Sequence, residues 1–312
     1  DGPLENQRIL FAVPLDESGV NHGYYDLLAY LRTHPGCLDG SVSGVLVDGP
    51  GDLYTKAVGR ELVLAASQAG CTVVGRPLVE GTGDLRNFTV QAKNAGCDLP
   101  EAYRLAASDL VRRVLDFTPS RHQRPMLLVL HASNHRTSNT LALWSRCRER
   151  LGKVCEITEI GLRNGTLEDC AGCPYTMCLH FGEKGDCFYG GVMVQEVYPA
   201  IRSSDALVLL CPNYNDALSA NLSACINRLT ALYRSVSFQE KAVFGLVVSG
   251  YSGGDMVASQ LVSARGRNKG FRLPPRFCRM ETANRSGEAL TLPGIGERLD
   301  AFAQGILTRC QD

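Results

Sequence analysis

The chain has 312 residues, 45% of them apolar, with Lys plus Arg and Asp plus Glu both at 32. That length suggests two domains, and that composition excludes an intrinsically disordered chain. A net charge of zero offers no electrostatic handle for nucleic acid or an anionic membrane surface.

The opening DGPLENQRIL has no basic segment and no long apolar run, so it is expected not to be a signal peptide. Lacking Met, it is read as a processed terminus. The longest apolar runs are strand-length, which argues against a membrane span. The thirteen cysteines are odd in number, and most lie in apolar contexts such as LVLLCPN and SACINRL. Buried thiols of this kind are expected in a reducing compartment, hence a cytoplasmic protein.

In chain order, RILFAV (8–13), SVSGVLV (41–47) and CTVVG (71–75) predict strands, with helices around 24–33, 55–69 and 101–116. Residues 1–118 thus read as a small degenerate α/β domain, flavodoxin-like or half-Rossmann. Its first loop, PLDESGVNHG, places Asp16 and Glu17 where a phosphate would sit, which disfavours anion binding. The polar, proline-bounded TPSRHQRP (118–125) marks a linker over 119–125.

Residues 126–312 read as a second domain. MLLVLH (126–131), KVCEITEI (153–160), ALVLL (206–210), AVFGLVV (242–248) and RFCRMETA predict five strands. Helical patterns separate them: TLALWSRCRERLG, a stretch near VMVQEVYPAIRSS, 218–233, one after the fourth strand, and 295–310. Short continuous Val/Leu/Ile runs alternating with helices predict a parallel sheet covered on both faces. The expected fold is α/β, a flavodoxin-like doubly wound five-stranded parallel sheet. Ligands in such sheets lie at the carboxyl ends of the strands.

Three loops of this domain therefore matter. The first, ASNHRTSNT, opens a helix whose free N–H groups and dipole suit a phosphate, with Ser133, Ser138, Asn139 and Thr140 as added donors. The third-strand loop offers Pro212, Asn213, Tyr214, Asn215 and Asp216, suited to the edge and face of a planar heteroaromatic ring. The fourth, SGYSGGD, offers Ser249, Gly250, Gly253 and Gly254, whose glycines admit a close backbone approach.

On these residues the domain resembles the NADPH-dependent FMN reductase and iron–sulfur flavoprotein family over about 124–310. The family's first loop reads Ser-Pro-Arg-x-x-Gly-Asn-Thr. The stretch Ser133 to Thr140 has that length and keeps Ser133, Asn139 and Thr140, with His135 at the Arg position, Arg136 beside it, and Ser138 for Gly. The family's Pro-x-Tyr loop, and the helix ending in Asp-Arg-Leu, match Pro212, Tyr214, Ser219, Ala220, Arg228 and Leu229, with Asn227 for Asp and Ser223 for Lys. The resemblance implies FMN, its phosphate on the first loop and its isoalloxazine against 212–216 and 249–254. It also implies NAD(P)H as co-substrate, a small-molecule acceptor, and a homodimer or homotetramer.

After the second strand of this domain lie Cys170, Cys173, Cys178 and Cys187, spaced C-x2-C-x4-C-x8-C. Iron–sulfur flavoproteins carry a tighter four-cysteine motif at this place. A [4Fe–4S] cluster, a structural zinc, or free thiols and a reversible disulfide all remain open for this spacing. His131 ends the first strand of the domain, either touching flavin or capping the strand. Trp144 is expected in the core, and RCRER (146–150) on a solvated helix face. Arg265, Arg267 and Lys269 are expected in a solvated loop, with a dinucleotide phosphate as the other reading.

The expected function is an FMN-dependent oxidoreductase passing electrons from NAD(P)H to a quinone, nitro compound or other small acceptor. The alternatives are an iron–sulfur flavoprotein electron carrier and a flavin or thiol redox sensor without steady turnover. Hydride transfer to flavin requires no acid–base side chain, so no catalytic residue is named. The first domain is expected to build an oligomer interface or cover the flavin.

Overall fold

The computed structural model describes residues 3–120, 122–133, 137–263 and 270–310. It divides into two compact units: Asp1–Thr118 with Arg272–Arg276, and Pro119–Phe271 with Phe277–Asp312.

The first unit contains β1 (Arg8–Pro14), α1 (His22–Thr33), β2 (Val42–Asp48), α2 (Thr55–Gln68), β3 (Thr72–Gly81), α3 (Thr89–Ala95) and α4 (Leu99–Leu115). Its sheet is parallel, in the order β1-β2-β3. Side-chain caps start two of the helices: Asn21 accepts from Tyr24 N at 2.9 Å and Asp98 from Glu101 N at 2.8 Å. Val42, Val74, Phe88, Leu110 and Val114 form one core beneath α4. The segment Arg272–Arg276 belongs to this unit: Leu273 bridges Val73, and Arg276 pairs with Asp39 at 2.9 Å. In the loop after β1, Asp16 accepts from the backbone N–H groups of Ser18 and Val20 at 2.9 and 3.0 Å. Donors that a phosphate would use there are satisfied by the chain's own carboxylate.

The second unit contains β4 (Met126–His131), α5 (Asn139–Leu151), β5 (Glu156–Gly161), α6 (Tyr175–Glu183), α7 (Tyr198–Ser203), β6 (Ala206–Pro212), α8 (Ala220–Leu232), β7 (Ala242–Ser249), α9 (Gly254–Leu261), β8 (Cys278–Thr282) and α10 (Ile295–Cys310). All neighbours are parallel, in the order β5-β4-β6-β7-β8. The flavodoxin-like order is thereby observed, and its switch point lies between β4 and β6. Every residue of β7 is buried, as a strand covered on both faces requires. Trp144 and Leu143 of α5 pack with Phe244 of β7 and with Phe302 and Ile306 of α10. Each such large apolar side chain contributes ~1.5–3 kcal/mol by leaving water. Trp144 is core, as expected, and its indole N–H donates to Glu159 at 3.1 Å.

A buried carboxylate fixes the β8 edge. Glu281 accepts from Arg279 at 2.6 Å and from Arg298 of α10 at 2.8 and 2.9 Å. Among the described residues no helix is long and apolar enough to cross a membrane.

Candidate functional site

The carboxyl ends of β4, β6 and β7 lie side by side because those strands are neighbours in the sheet. The three loops singled out from the sequence leave from those ends.

The β4 loop leads into α5. Ser138 caps that helix, its hydroxyl accepting from Leu141 N at 3.4 Å. Thr140 is buried, Ser133 half-buried, and the first turn of α5 has no acidic residue. The helix dipole there is left uncompensated, which favours an anion. His135 and Arg136 lie outside the described residues, as do Arg265, Arg267 and Lys269.

The side chain of Asn139 reaches the loop after β8. It donates to Arg285 O at 2.9 Å and Ala283 O at 3.4 Å, and accepts from Ala289 N at 3.3 Å. It pins the start of α5 to the loop after β8. That loop is itself organised by Glu288, which accepts from the N–H groups of Arg285 and Asn284 at 2.7 and 2.8 Å. Those two backbone bonds hold the Glu288 carboxyl below its ordinary range. Ser286 also donates to Thr137 O at 3.2 Å.

The β6 and β7 loops are stitched together by one side chain. Asn213 Nδ2 donates to Ser249 Oγ at 3.1 Å, Asp216 Oδ1 at 3.2 Å and Ser252 O at 3.4 Å. Its Oδ1 is buried and has no partner, an acceptor that a ligand N–H could use. Pro212 ends β6. Beyond it, Tyr214 and Ala217 close a tight turn in which Asn215 and Asp216 both take left-handed conformations, φ 53° and 56°. Asn and Asp tolerate that region better than most residues. Gln260 of α9 braces the turn, donating to Asp216 O at 2.8 Å and accepting from Leu218 N at 2.9 Å.

In the β7 loop, Ser249 is buried and Gly253 has φ 91°. A Cβ at Gly253 would stand 2.0 Å from Asp216 Oδ1, so the close approach of the two loops requires glycine. A Cβ at Gly250 would meet Asn284 at 3.2 Å, and one at Gly254 would meet Ser249 at 3.4 Å. Tyr214 and Tyr251 stand exposed at the loop tips, and the Tyr251 hydroxyl accepts from Asn284 at 2.8 Å. The β8 loop therefore touches both the β4 loop and the β7 loop, a bracing role that its polar composition did not announce.

His131 ends β4 with Nε2 3.7 Å from Glu159 on the edge strand. Burial lowers its tendency to protonate, with Glu159 pulling the other way.

The four-cysteine segment forms a second feature of the same unit. It is more ordered than a bare loop, because α6 lies within it. Cys170, Cys173, Cys178 and Cys187 all line one cavity of about 280 Å³, together with residues of α8. Phe181 and Phe188 meet edge-on at 5.7 Å on its wall, and the Arg234 guanidinium lies 4.6 Å from the centre of the Tyr175 ring. Among the described residues, no three Cys, His, Asp or Glu side chains converge to hold a single metal ion. Four cysteines on one cavity are the residue set that a four-iron cluster draws on.

Residues 125–279 match the family model described as NADPH-dependent FMN reductase. Among solved structures, an NAD(P)H:quinone oxidoreductase from Methanothermobacter marburgensis is similar at 16% identity, covering 58% of this chain and 98% of its own, with TM-score 0.42. An FMN-dependent NADH-azoreductase from Bacillus anthracis is similar at 12% identity, covering 58% and 99%, with TM-score 0.39. None of the curated proteins compared matches the chain.

Proposed function

We propose how this domain works from the premise that residues 125–279, which match the family model of NADPH-dependent FMN reductases, share that family's chemistry. It is an FMN-dependent NAD(P)H oxidoreductase domain. FMN held there would supply the chemistry of accepting hydride from NAD(P)H and passing electrons to an acceptor.

The chain's part is to bind, orient and exclude. The start of α5, with Ser133, Ser138 and Thr140, takes the FMN phosphate on free N–H groups and the helix dipole. The β6 and β7 loops take the isoalloxazine. Asn213 presents its spare acceptor, Gly253 keeps the loops close, and Tyr214 and Tyr251 offer aromatic faces. Asn139 and the β8 loop hold the phosphate loop in register with the ring loops. No side chain is asked to move a proton. The acceptor is a small molecule such as a quinone or nitro compound, and the protein acts in the cytoplasm as a homodimer or homotetramer.

The observation that supports this reading most is the convergence of three ligand-type loops at the strand ends of the matched region. Adding FMN and then NADPH to the full chain tests it. Tight 1:1 flavin binding and steady NADPH oxidation with a quinone are expected. A chain that binds no flavin sinks the proposal.

We also infer that the four-thiol cavity is a [4Fe–4S] site, held by Cys170, Cys173, Cys178 and Cys187. What supports this is that all four cysteines line one cavity. The cluster would supply one-electron redox chemistry beside the two-electron flavin.

A further inference from the structure

The cavity has a charge problem that its own residues do not solve. Arg228, on α8, lines it and is 3% exposed. Its Nη2 donates to Gly190 O at 2.8 Å, and its Nε is buried with no partner. Among the described residues it makes no ion pair. Guanidinium groups keep their charge throughout the physiological range. A buried charge without a counter-ion is strongly unfavourable.

The carboxylates next to Cys170 and Cys187 in sequence already accept hydrogen bonds. Asp169 accepts from Cys170 N at 2.6 Å and from Asn227 Nδ2 at 3.0 Å, and Asp186 accepts from Cys187 N at 2.6 Å. Among the described residues no Asp or Glu lines the cavity, while a second guanidinium, Arg234, does. The only lining groups that can become strongly anionic together are the four thiols. Neutral thiols give no counter-charge, but thiolates on a metal cluster do, since a coordinating thiol is deprotonated outright.

We propose that Arg228 is the built-in counter-charge of a thiolate-bound iron–sulfur cluster in this cavity, and that it sets the cluster's reduction potential. The proposal rests on the cluster reading given above. Arg228 is a positioning residue: it binds no iron and transfers no proton. On one-electron reduction the electron goes to the cluster, and the fixed guanidinium stabilises the added negative charge. Removing that guanidinium makes reduction harder. Because Arg228 lies on α8, the same charge also favours loading of an anionic cluster over an empty set of thiols.

The test uses the full chain, purified without oxygen and loaded with ferrous iron and sulfide. Iron and sulfide per chain are measured, and the cluster is titrated with dithionite and followed by electron paramagnetic resonance. The unsubstituted chain is expected to hold about four irons and four sulfides. Arg228→Met is expected to lower the reduced-to-oxidised ratio at a fixed potential at least about tenfold, or ~59 mV for one electron. Arg228→Lys, which keeps the charge, should stay within about threefold. Circular dichroism checks folding, and if Arg228→Met does not fold, Arg228→Gln takes its place under the same criterion.

A loaded neutral variant with unchanged iron content and an unchanged titration overturns the role of Arg228 and leaves the cluster reading intact. An unsubstituted chain that binds neither iron nor sulfide overturns the cluster reading first, and this proposal with it.

Discussion

Gly253→Ala is the sharpest single test of how the ring loops are built. The residue sits at φ 91°, and the new Cβ would lie 2.0 Å from Asp216 Oδ1 and 3.0 Å from Asn213 Nδ2. Holding an L-residue in the left-handed region costs ~1–2 kcal/mol. Expelling the Asp216 carboxylate also breaks its bond from Asn213, for a further ~0.5–1.5 kcal/mol. Together these come to ~2–3 kcal/mol. Asp216 cannot retreat freely, because Gln260 holds its carbonyl and its own backbone is already left-handed. The β6 and β7 loops must therefore part. FMN affinity, followed by quenching of flavin fluorescence, should fall roughly tenfold to a hundredfold. The urea midpoint of the flavin-free protein should fall as well. Unchanged affinity together with an unchanged midpoint would refute the idea that these loops need glycine at this contact.

Asn139→Ala removes three bonds between α5 and the β8 loop and should cost ~1–3 kcal/mol of stability, read from urea unfolding. Its loss of FMN affinity should follow from that loosening, and so should be larger at high temperature. Thr140→Val should weaken FMN about tenfold with little change in the urea midpoint, and equal affinity would remove Thr140 from the phosphate loop. Burial alone would raise the Glu281 carboxyl, but the Arg298 bond and the nearby Arg279 outweigh it and hold it below its ordinary value. A carboxyl depressed by folding stabilises above its unfolded pKa of about 4.3 and loses that contribution as pH falls through its folded value. Glu281→Gln should therefore flatten the acid side of the stability profile below about pH 4.3, as seen by calorimetry. Because one phosphate cradle serves the site, FAD should bind less well than FMN in parallel titrations.

Where apolar runs were continuous, the sequence was plain. AVFGLVV and ALVLL can only be doubly covered strands, and both the five-stranded order and the core position of Trp144 follow from that alternation. Strand β3 was read too short, because Gly75, Arg76 and Pro77 resemble a stop. The chain instead bulges there, with Arg76 at φ 53° and the register shifting between Ser43 and Val45, and pairing resumes to Gly81. Helix α3, TVQAKNA, is seven residues with one buried side chain, too short and too polar for a periodic signal. Helix α6 was hidden among cysteines, between Pro174 and Lys184, and only Gly182 in it is buried.

For the site, loop position was legible and side-chain duty was not. Asn139 was read as a phosphate donor from its place at the helix start, and its bonds to residues about 150 positions away in the β8 loop are contacts that no local pattern reports. Asn213 was marked for polarity, while its stitching of two loops depends on the β6–β7 pairing. Arg228 matched a family position, yet its burial, and its lack of an ion pair among the described residues, exist only once α8 packs against the cysteine segment.

The central claim is that this domain holds FMN where NAD(P)H can reduce it. The most direct measurement is the visible absorption of the FMN-loaded full chain on anaerobic addition of one equivalent of NADPH. The account predicts that the oxidised-flavin bands bleach and return when a quinone is added. Flavin that binds but stays oxidised with both NADPH and NADH would contradict it.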